Sequence, residues 1–399
     1  MLALTKWAFG LSLLPLFHVY SQSGSSTAKR VVILRRHKAI LVAGARPNFM
    51  KVKPVLDALE RRNVDCILLH TGQHYDPKLS QVFFDELGIR PADTHLNVGS
   101  GSHAEQTAAV MGAFEKVVEE EQPDAVVVFG DINSTLACAL VGAKAGAMVT
   151  HVEAGLRSRD WSMPEEINRV ATDRVSDLLL APSPDGVTNL EAEGFPAEKI
   201  RLVGNVMIDT LLTNVERARA RPVLDELGLT RKGFGLVTLH RPANVDHEEE
   251  FAQLIGALGT IAADCPLVFP VHPRTVHQLD GVDMPAGIII TEPFGYLDFV
   301  ALQDAAALVL TDSGGVQEET TVLGTPCLTL RDNTERPITI TEGTNTVVGR
   351  DPEVIVSEAR IRLNEGWPVR RPALWDGKAG DRCATAIIET LDARAAKRA

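Results

Sequence analysis

The sequence predicts an α/β protein made of two similar halves, each a parallel sheet covered by helices. Short apolar runs of strand length alternate with helical segments along the chain, a pattern typical of parallel sheets. A helix and a proline-containing break at residues 206–221 interrupt the alternation, which then starts again. A length of 399 residues suits two domains of ordinary size. Two such halves would face each other across a cleft, where ligands usually bind.

The first half contains six predicted strands, most of them followed by a helix. Its predicted strands are residues 39–47, 65–76, 124–131, 148–155, 177–183 and 200–205, and its predicted helices are 49–61, 78–87, 103–120, 132–146 and 164–176.

The second half opens with the helix at residues 206–220 and then repeats the pattern. Its predicted strands are near residues 233–244, 266–275, 287–291, 307–310 and 327–330, and its helices include 248–263, the segment before 302, 314–323 and 382–391. These patterns predict a poorly ordered N-terminal extension at 1–37, a Rossmann-like domain at 38–205, a second Rossmann-like domain at 206–371 and a C-terminal helical segment at 372–399.

Residues 1–37 do not fit the alternation. Residues 8–17 form an apolar run after the single cation Lys6. Three interpretations stay open: an upstream extension or mis-chosen start, an export signal or anchor, and a folded addition. We expect a cytoplasmic enzyme that contacts a membrane only if this segment acts as an anchor.

The composition argues against some classes of protein. The chain has 40 Lys and Arg against 52 Asp and Glu, a net charge of −12. Nucleic-acid-binding domains are usually basic, so a nucleic-acid partner is not expected. The five cysteines are scattered without metal-ligand spacing, which predicts free thiols in a reducing compartment.

The most informative stretch is the strand–helix–strand unit that begins near Ala307. Ser313, Gly314 and Gly315 stand where the strand becomes a helix. Glycines at such a point let a ligand reach bare backbone, and the free N–H groups of the first turn favour an anion. The next strand brings Arg336, with Arg331 and Glu335, to the same sheet edge. The alternative is an ordinary tight turn with solvated charges.

Other strands of the first half also end in polar residues. Asp131 follows one strand, Glu153 ends another beside His151, and Glu165 opens a helix. Asp131 has an alternative interpretation as a helix N-cap, and Glu165 as an acidic first-turn residue. Arg46 and Lys51 place two cations beside a glycine turn, a weak signal by itself.

In the second half, His240 and His272 each follow an apolar strand and stand next to or near an arginine. A structural histidine is the alternative for each. Carboxylates and histidines at one sheet edge could transfer protons, and the cations could hold phosphate. A GxxxxGK[ST] loop and a GxGxxG after the first strand are both missing from the sequence, which argues against a P-loop NTPase and a standard NAD-binding protein.

Taken together, these segments resemble the non-hydrolysing UDP-N-acetylglucosamine 2-epimerases. The similarity runs from about residue 38 to the C-terminus. The matching motifs are GARPNFMK, TGQHYD, GDINST, HVEAGLRS, PEEINR, GNVMIDTL, LHRPANVD, PVHPRT and TDSGGVQEE with TERP. Their order and spacing make the resemblance specific.

The resemblance implies a two-domain fold of the GT-B type and a reversible inversion at C2 of a UDP-sugar. It implies no metal and no cofactor, a homodimer, and a C-terminal helix packed on the first domain. In such enzymes UDP is eliminated to leave a 2-acetamidoglucal and is then added back with the proton on the other face.

The resemblance also implies roles for individual residues. The implied catalytic acid/base residues are Asp131, Glu153, Glu165 and His240, and the implied substrate-binding residues are Arg46, Lys51, His272, Phe299, Ser313, Gly314, Gly315, Glu319 and Arg336. Glu319 would hold the ribose hydroxyls and Phe299 would pack near the uracil.

The chain departs from many relatives at three places. Asn48 and Ala243 replace glutamates, and Gln73-His74-Tyr75 replaces a Gln-His-Arg motif that serves a second substrate molecule. Four other functions remain alternatives: a hydrolysing 2-epimerase that releases free ManNAc, an epimerase of another UDP-sugar, a glycosyltransferase and an inactive sensor.

Overall fold

The computed structural model of the protein describes residues 36–44, 46–72, 86–271, 275, 279, 283–365 and 370–398. These residues form one compact unit. The predictions for residues 1–35, for most of the helix at 78–87 and for His272 lie outside the described residues, as does the side chain of Arg46.

A seven-stranded parallel sheet organises the first part of the chain, with strand order β3-β2-β1-β4-β5-β6-β7. Its strands are β1 (Lys38–Ala43), β2 (Asp65–His70), β3 (Thr94–His95), β4 (Ala125–Phe129), β5 (Met148–Val152), β6 (Leu178–Ala181) and β7 (Ile200–Leu202). The helices are α1 (Arg46–Arg61), α2 (His103–Glu121), α3 (Asn133–Lys144), α4 (Pro164–Val175) and α5 (Pro184–Ala192). Strands such as β4, AVVVF, are buried along their whole length because helices cover both faces.

A six-stranded parallel sheet follows, with strand order β10-β9-β8-β11-β12-β13. Its strands are β8 (Gly235–Thr238), β9 (Leu267–Pro270), β10 (Ile288–Thr291), β11 (Leu308–Thr311), β12 (Cys327–Thr329) and β13 (Asn345–Val347). The remaining helices are α6 (Val206–Arg219), α7 (Val223–Glu226), α8 (Pro242–Val245), α9 (Glu248–Ala262), α10 (Tyr296–Ala305), α11 (Gly314–Leu323), α12 (Ile338–Thr341), α13 (Pro352–Glu365) and α14 (Ala379–Arg398).

Both sheets have the order of a doubly wound Rossmann fold, so the predicted fold class is confirmed. In each sheet the order reverses beside the first strand, between β1 and β4 and between β8 and β11. Crevices at such reversals are where open α/β sheets bind ligands. The fold therefore provides two binding edges, and polar residues follow β4, β8 and β11 at these points.

Helices α6 and α14 connect the two parts. Helix α6 contacts α1 of the first part and α10 of the second, and α14 contacts α1 and α6. The start of α14 is held by Asp209 of α6, which accepts hydrogen bonds from Ala379 N at 3.1 Å and Gly380 N at 2.7 Å. Since the described residues form one compact unit, the domain boundaries at 205/206 and 371/372 stay predictions.

Candidate functional site

A cavity of about 300 Å³ lies between the carboxyl ends of the two sheets. Residues from the loops of both sheets line it, so neither half of the chain forms the cavity by itself. The lining residues are Met50, Lys51, Asp131, Met207, His240, Arg241, Phe294, Gly295, Tyr296, Phe299, Ser313, Gly314, Gly315, Val316, Glu319, Glu335 and Arg336.

One wall of the cavity is the start of α11. Ser313 is the N-cap in an extended conformation, and its hydroxyl makes no capping hydrogen bond. The first-turn N–H groups of a helix lack intrahelical partners and carry partial positive charge. A Cβ at Gly314 would overlap Arg336 Nη1, whereas one at Gly315 would meet the end of the Met207 side chain, with Cε at 3.1 Å and Sδ at 3.5 Å. Gly314 is thus needed for the close approach of the guanidinium to the helix start.

Arg336 is buried beside this helix start and forms ion pairs with two carboxylates. Its Nε lies 2.8 Å from Glu318 Oε1, and its Nη1 pairs with Glu335. Glu335 also pairs with Arg331 at 2.8 Å. Burial would raise the pKa of Glu335, but the charges of Arg336, Arg331 and Arg169 outweigh burial and lower it. The guanidinium of Arg336 is therefore held rigidly at the cavity wall by an ionised partner.

Asp131 projects into the cavity from the loop after β4, and its side chain is 26% exposed. Arg169 Nη2 donates to its Oδ2 at 2.5 Å. Burial would raise the pKa of Asp131, but Arg169, Lys51 and Arg336 lower it. The N-cap of α3 is Ile132 without a side-chain capping bond, so Asp131 is not the helix cap of the alternative interpretation.

Glu153 is buried next to Lys51, which lines the cavity. Glu153 has a left-handed backbone with φ of 74°, a strained conformation for a non-glycine residue that often marks a functional site. Its Oε2 pairs with Lys51 Nζ, and its Oε1 has no hydrogen-bond partner among the described residues. Gly130 leaves room here, because a Cβ there would lie 3.3 Å from both charged groups.

Residues 151–157, HVEAGLR, alternate in a way that predicts His151 and Glu153 on the same side of a strand. The strand β5 ends at Val152, however, so Glu153 lies outside it. His151 is fully buried and bonds Asp173 Oδ1 at 2.6 Å and Gly130 O at 2.8 Å. His151 is therefore a structural histidine that holds the loop of Gly130.

His240 lies at the cavity, on the loop after β8, and its side chain is 38% exposed. Its Nδ1 lies 2.9 Å from Asp312 Oδ1. Asp312 is fully buried and also accepts from His240 N, Arg241 N and Asn244 Nδ2 at 2.9–3.0 Å. Burial would raise the pKa of Asp312, but these contacts, that with His240 first, lower it. An ionised carboxylate thus orients the imidazole, as in many proton-transfer sites.

Glu165 does not line the cavity. Its carboxylate is 35% exposed and lies 3.4 Å from Arg241 Nη1, an ion pair that joins the two sheets' loops. The neighbouring Glu166 is buried and accepts from Ser158 N and Arg159 N at 2.9 Å. Glu166 therefore supports a loop, while Glu165 stands at the entrance beside Arg241.

Glu319 and Phe299 also line the cavity, together with the apolar side chains of Met50, Met207 and Phe294. Glu319 accepts from Tyr296 Oη at 3.1 Å and Gln303 Nε2 at 2.6 Å. An apolar pocket next to a carboxylate suits a flat base joined to a sugar with free hydroxyls.

The structure brings most of the predicted residues together. Nine line the cavity, namely Lys51, Asp131, His240, Phe299, Ser313, Gly314, Gly315, Glu319 and Arg336. Glu153 lies one contact behind and Glu165 at the edge. Five further cavity or near-cavity residues have no role predicted from the sequence: Asp312, Arg241, Tyr296, Met50 and Met207. For Asp312, its place between a strand end and Ser313 was an available signal.

Two further properties concern only the residues that the structure describes. In these ranges, no helix combines the length and apolarity required to cross a bilayer. The same part of the chain holds no cluster of three or more His, Cys, Asp or Glu side chains arranged to bind a metal ion.

The chain is similar to known proteins over most of its length. Residues 57–388 match the family described as UDP-N-acetylglucosamine 2-epimerase. A protein of that name from Methanocaldococcus jannaschii is 42% identical over 357 residues, 86% of this chain and 97% of the relative. UDP-2,3-diacetamido-2,3-dideoxy-D-glucuronate 2-epimerase of Pseudomonas aeruginosa is 41% identical over 82% of this chain and 93% of the relative.

Solved structures have the same fold. The M. jannaschii UDP-GlcNAc 2-epimerase in complex with UDP-GlcNAc and UDP superposes with a TM-score of 0.83, at 42% identity, over 88% of this chain and 99% of that chain. The Neisseria meningitidis enzyme bound to UDP-GlcNAc gives a TM-score of 0.80 at 29% identity, over 89% and 99% of the two chains. The fold, the cavity and these similarities together establish that the chain belongs to the UDP-N-acetylglucosamine 2-epimerase family.

Proposed function

We propose that the protein catalyses the reversible C2 epimerisation of UDP-N-acetylglucosamine to UDP-N-acetylmannosamine, by elimination and re-addition of UDP. The observation that supports this most is the composition of one cavity. The start of α11 and Arg336 come from one sheet, and Asp131 and Lys51 come from the other. One cavity of about 300 Å³ thus contains groups that can bind a diphosphate together with a group that can transfer a proton.

The chemistry needs both kinds of group. In the first half-reaction a base takes the C2 proton while the C1–O bond to the diphosphate breaks, which leaves a 2-acetamidoglucal and UDP. In the second, a proton is delivered to the opposite face of C2 and a UDP oxygen re-forms the bond to C1. The charge that develops on the leaving diphosphate is stabilised by fixed N–H dipoles and a guanidinium. The same contacts retain UDP between the two half-reactions.

The proton has to leave one face and arrive on the other, so two groups are required. We assign these roles to Asp131, Glu153, Glu165 and His240 as a set. The lowered pKa of Asp131, caused by Arg169, Lys51 and Arg336 against the effect of burial, suits a group that is ionised at neutral pH. The buried, unpartnered Oε1 of Glu153 and the Asp312-bound imidazole of His240 provide further candidates.

We assign binding of the nucleotide to the remaining residues. Arg46, Lys51, His272, Ser313, Gly314, Gly315 and Arg336 would contact the diphosphate. Glu319 would accept hydrogen bonds from the ribose hydroxyls, and Phe299 would pack on the uracil. A homodimer and a cytoplasmic location remain predictions from the family resemblance.

A second candidate is epimerisation of a UDP-diacetamido-uronate. The P. aeruginosa relative with that name is 41% identical, close to the 42% of the M. jannaschii relative. Identity alone therefore does not choose between the two sugars.

The test is incubation with UDP-N-acetylglucosamine in deuterated water, followed by NMR. Deuterium at C2 together with accumulating UDP-N-acetylmannosamine supports the proposal. Free N-acetylmannosamine as the steady product indicates the hydrolysing reaction. Exchange only with UDP-2,3-diacetamido-2,3-dideoxy-D-glucuronate favours the second candidate. Lack of C2 exchange with either sugar would show that the proposal is wrong.

A further inference from the structure

Helix α10 provides a hydrogen-bond donor to each carboxylate oxygen of Glu319. Tyr296 Oη donates to Oε1 at 3.1 Å, and Gln303 Nε2 donates to Oε2 at 2.6 Å. Tyr296 and Gln303 are seven residues apart, two helical turns, and so lie on one face of α10. Tyr296, Gln303 and Glu319 are 4%, 0% and 3% exposed. The carboxylate is therefore fixed in position before any ligand arrives.

The partners of Glu319 differ in kind from those of its neighbour. Glu318 pairs with the guanidinium of Arg336. Glu319 pairs with neutral donors, and no ion pair to it occurs within the described ranges. Burial raises the pKa of Glu319 to about 7, against the opposite effect of Gln303 and Tyr296. Each carboxylate oxygen can accept more than one hydrogen bond, so acceptor positions remain for hydroxyl groups in the cavity that Glu319 lines.

The position of Glu319 along α11 suits a particular ligand. Glu319 follows Gly315 by four residues, which corresponds to about 6 Å along the helix axis. One helix thus presents free N–H groups to an anion and, about one turn later, a carboxylate to hydroxyl donors. A phosphate joined to a sugar with adjacent hydroxyls fits this order.

We propose that Tyr296 and Gln303 are positioning residues that fix Glu319 for the ribose diol, and that they make the site select ribonucleotides over deoxyribonucleotides. The inference rests on the proposed function, since it takes the ligand to be a UDP-sugar. A ligand that lacks one ribose hydroxyl would leave one oxygen of Glu319 with only its Tyr296 or Gln303 donor, and the loss of a hydrogen bond to a buried carboxylate weakens binding of that ligand.

The experiment measures binding of UDP, 2′-deoxy-UDP and 3′-deoxy-UDP by calorimetry. The proteins compared are wild type, Tyr296→Phe, Gln303→Met and the control Thr325→Val. Thr325 donates to Gln303 O at 2.9 Å, so its replacement removes a buried hydrogen bond at the same helix without touching Glu319. We expect wild type to prefer UDP over at least one deoxy analogue by about tenfold or more. Tyr296→Phe and Gln303→Met should each reduce that ratio several-fold, and Thr325→Val should leave it unchanged.

The outcomes separate this inference from the proposed function. Unchanged ratios in both variants, or equal losses for all three ligands, would overturn the positioning role. If one variant does not fold, the other still decides. Failure of wild type to bind UDP would overturn both proposals. Reduced ratios in a protein that does not epimerise UDP-N-acetylglucosamine would support the positioning role and contradict only the sugar assignment.

Discussion

Arg169 Nη2 donates to Asp131 Oδ2 at 2.5 Å, and Nη1 of the same guanidinium donates to Glu166 Oε2 at 2.5 Å. The side chain of Arg169 is 2% exposed. One buried cation thus serves both a carboxylate at the cavity and a carboxylate that holds the loop of Ser158 and Arg159. The ionisation of Asp131 is therefore tied to the packing of α4.

Replacement of this cation should alter the pH profile. Arg169→Lys keeps a charge but loses the planar fork that reaches both carboxylates. Because Arg169 lowers the pKa of Asp131 against the effect of burial, the acidic limb of the kcat/KM profile should move to higher pH, and kcat/KM should fall most at acidic pH. The matched control is Arg360→Lys in the exposed pair with Asp264. Equal profiles for wild type and Arg169→Lys would contradict the coupling.

Asp131→Asn should abolish C2 deuterium exchange while UDP still binds. The amide keeps the size of the side chain but is a very weak base, so we expect a loss of at least about a hundredfold. Asp264→Asn, which removes a carboxylate from an exposed ion pair outside the cavity, should retain the wild-type exchange rate. Exchange by Asp131→Asn near the wild-type rate would remove Asp131 from the catalytic set.

Two adjacent glycines should respond differently to alanine. In Gly314→Ala the new methyl group overlaps Arg336 Nη1, whereas in Gly315→Ala it meets the flexible end of Met207 at 3.1 Å. UDP affinity should therefore fall by about tenfold or more in Gly314→Ala, the cost of displacing a charge-assisted contact, and by less in Gly315→Ala. Calorimetry on both variants gives the comparison, and a reversed order would place the diphosphate elsewhere.

The buried carboxyl group of Glu319 should make stability depend on pH. Burial raises its folded-state pKa from 4.5 to about 7, so the folded protein binds this proton more tightly than the unfolded chain does. The stabilisation is complete below pH 4.5 and is lost as the pH rises through about 7. Glu319→Gln should therefore lose less stability than wild type between pH 5.5 and pH 8, by at most about 3 kcal/mol. The measurement is the free energy of unfolding of both proteins from denaturant titrations at pH 5.5 and pH 8. An equal change between the two pH values in wild type and Glu319→Gln would contradict the prediction.

The start of α14 should contribute to stability without affecting the ligand. Asp209→Ala removes the acceptor of the Ala379 and Gly380 N–H groups, which should lower the free energy of unfolding by about 1–2 kcal/mol. UDP affinity should stay unchanged, because Asp209 does not line the cavity. Asp376→Ala, at an exposed pair with Arg382, is the control and should cost less.

The sequence was informative about elements whose signal is local. Buried strands such as β4 and the glycine turn before α11 were predicted because their residues alone determine them. Helix α14 spans Ala379–Arg398 rather than the predicted 382–391, since its start depends on Asp209, far away in the chain. Helices α5 and α13 and the two-residue strand β3 were not predicted.

The same division applies to the site. The types of the acidic and basic residues could be read from the motifs, but their pairing depends on which strands are neighbours. Asp312 faces His240 because β11 lies beside β8, with Thr311 next to Thr238. Glu153 has a left-handed backbone, and the next residues of its loop contact Gly186 and Asp173, contacts that the letters HVEAG do not reveal.

The origin of the cavity walls in two separate sheets has an evolutionary consequence. Lys51 and Asp131 belong to one sheet, and the α11 start with Glu319 belongs to the other. A substitution beside Lys51 or Asp131 can therefore reshape one wall of the cavity while the backbone of residues 313–319 in the other wall keeps its conformation. This division allows the specificity for one part of a ligand to change in evolution while the binding of the other part is kept.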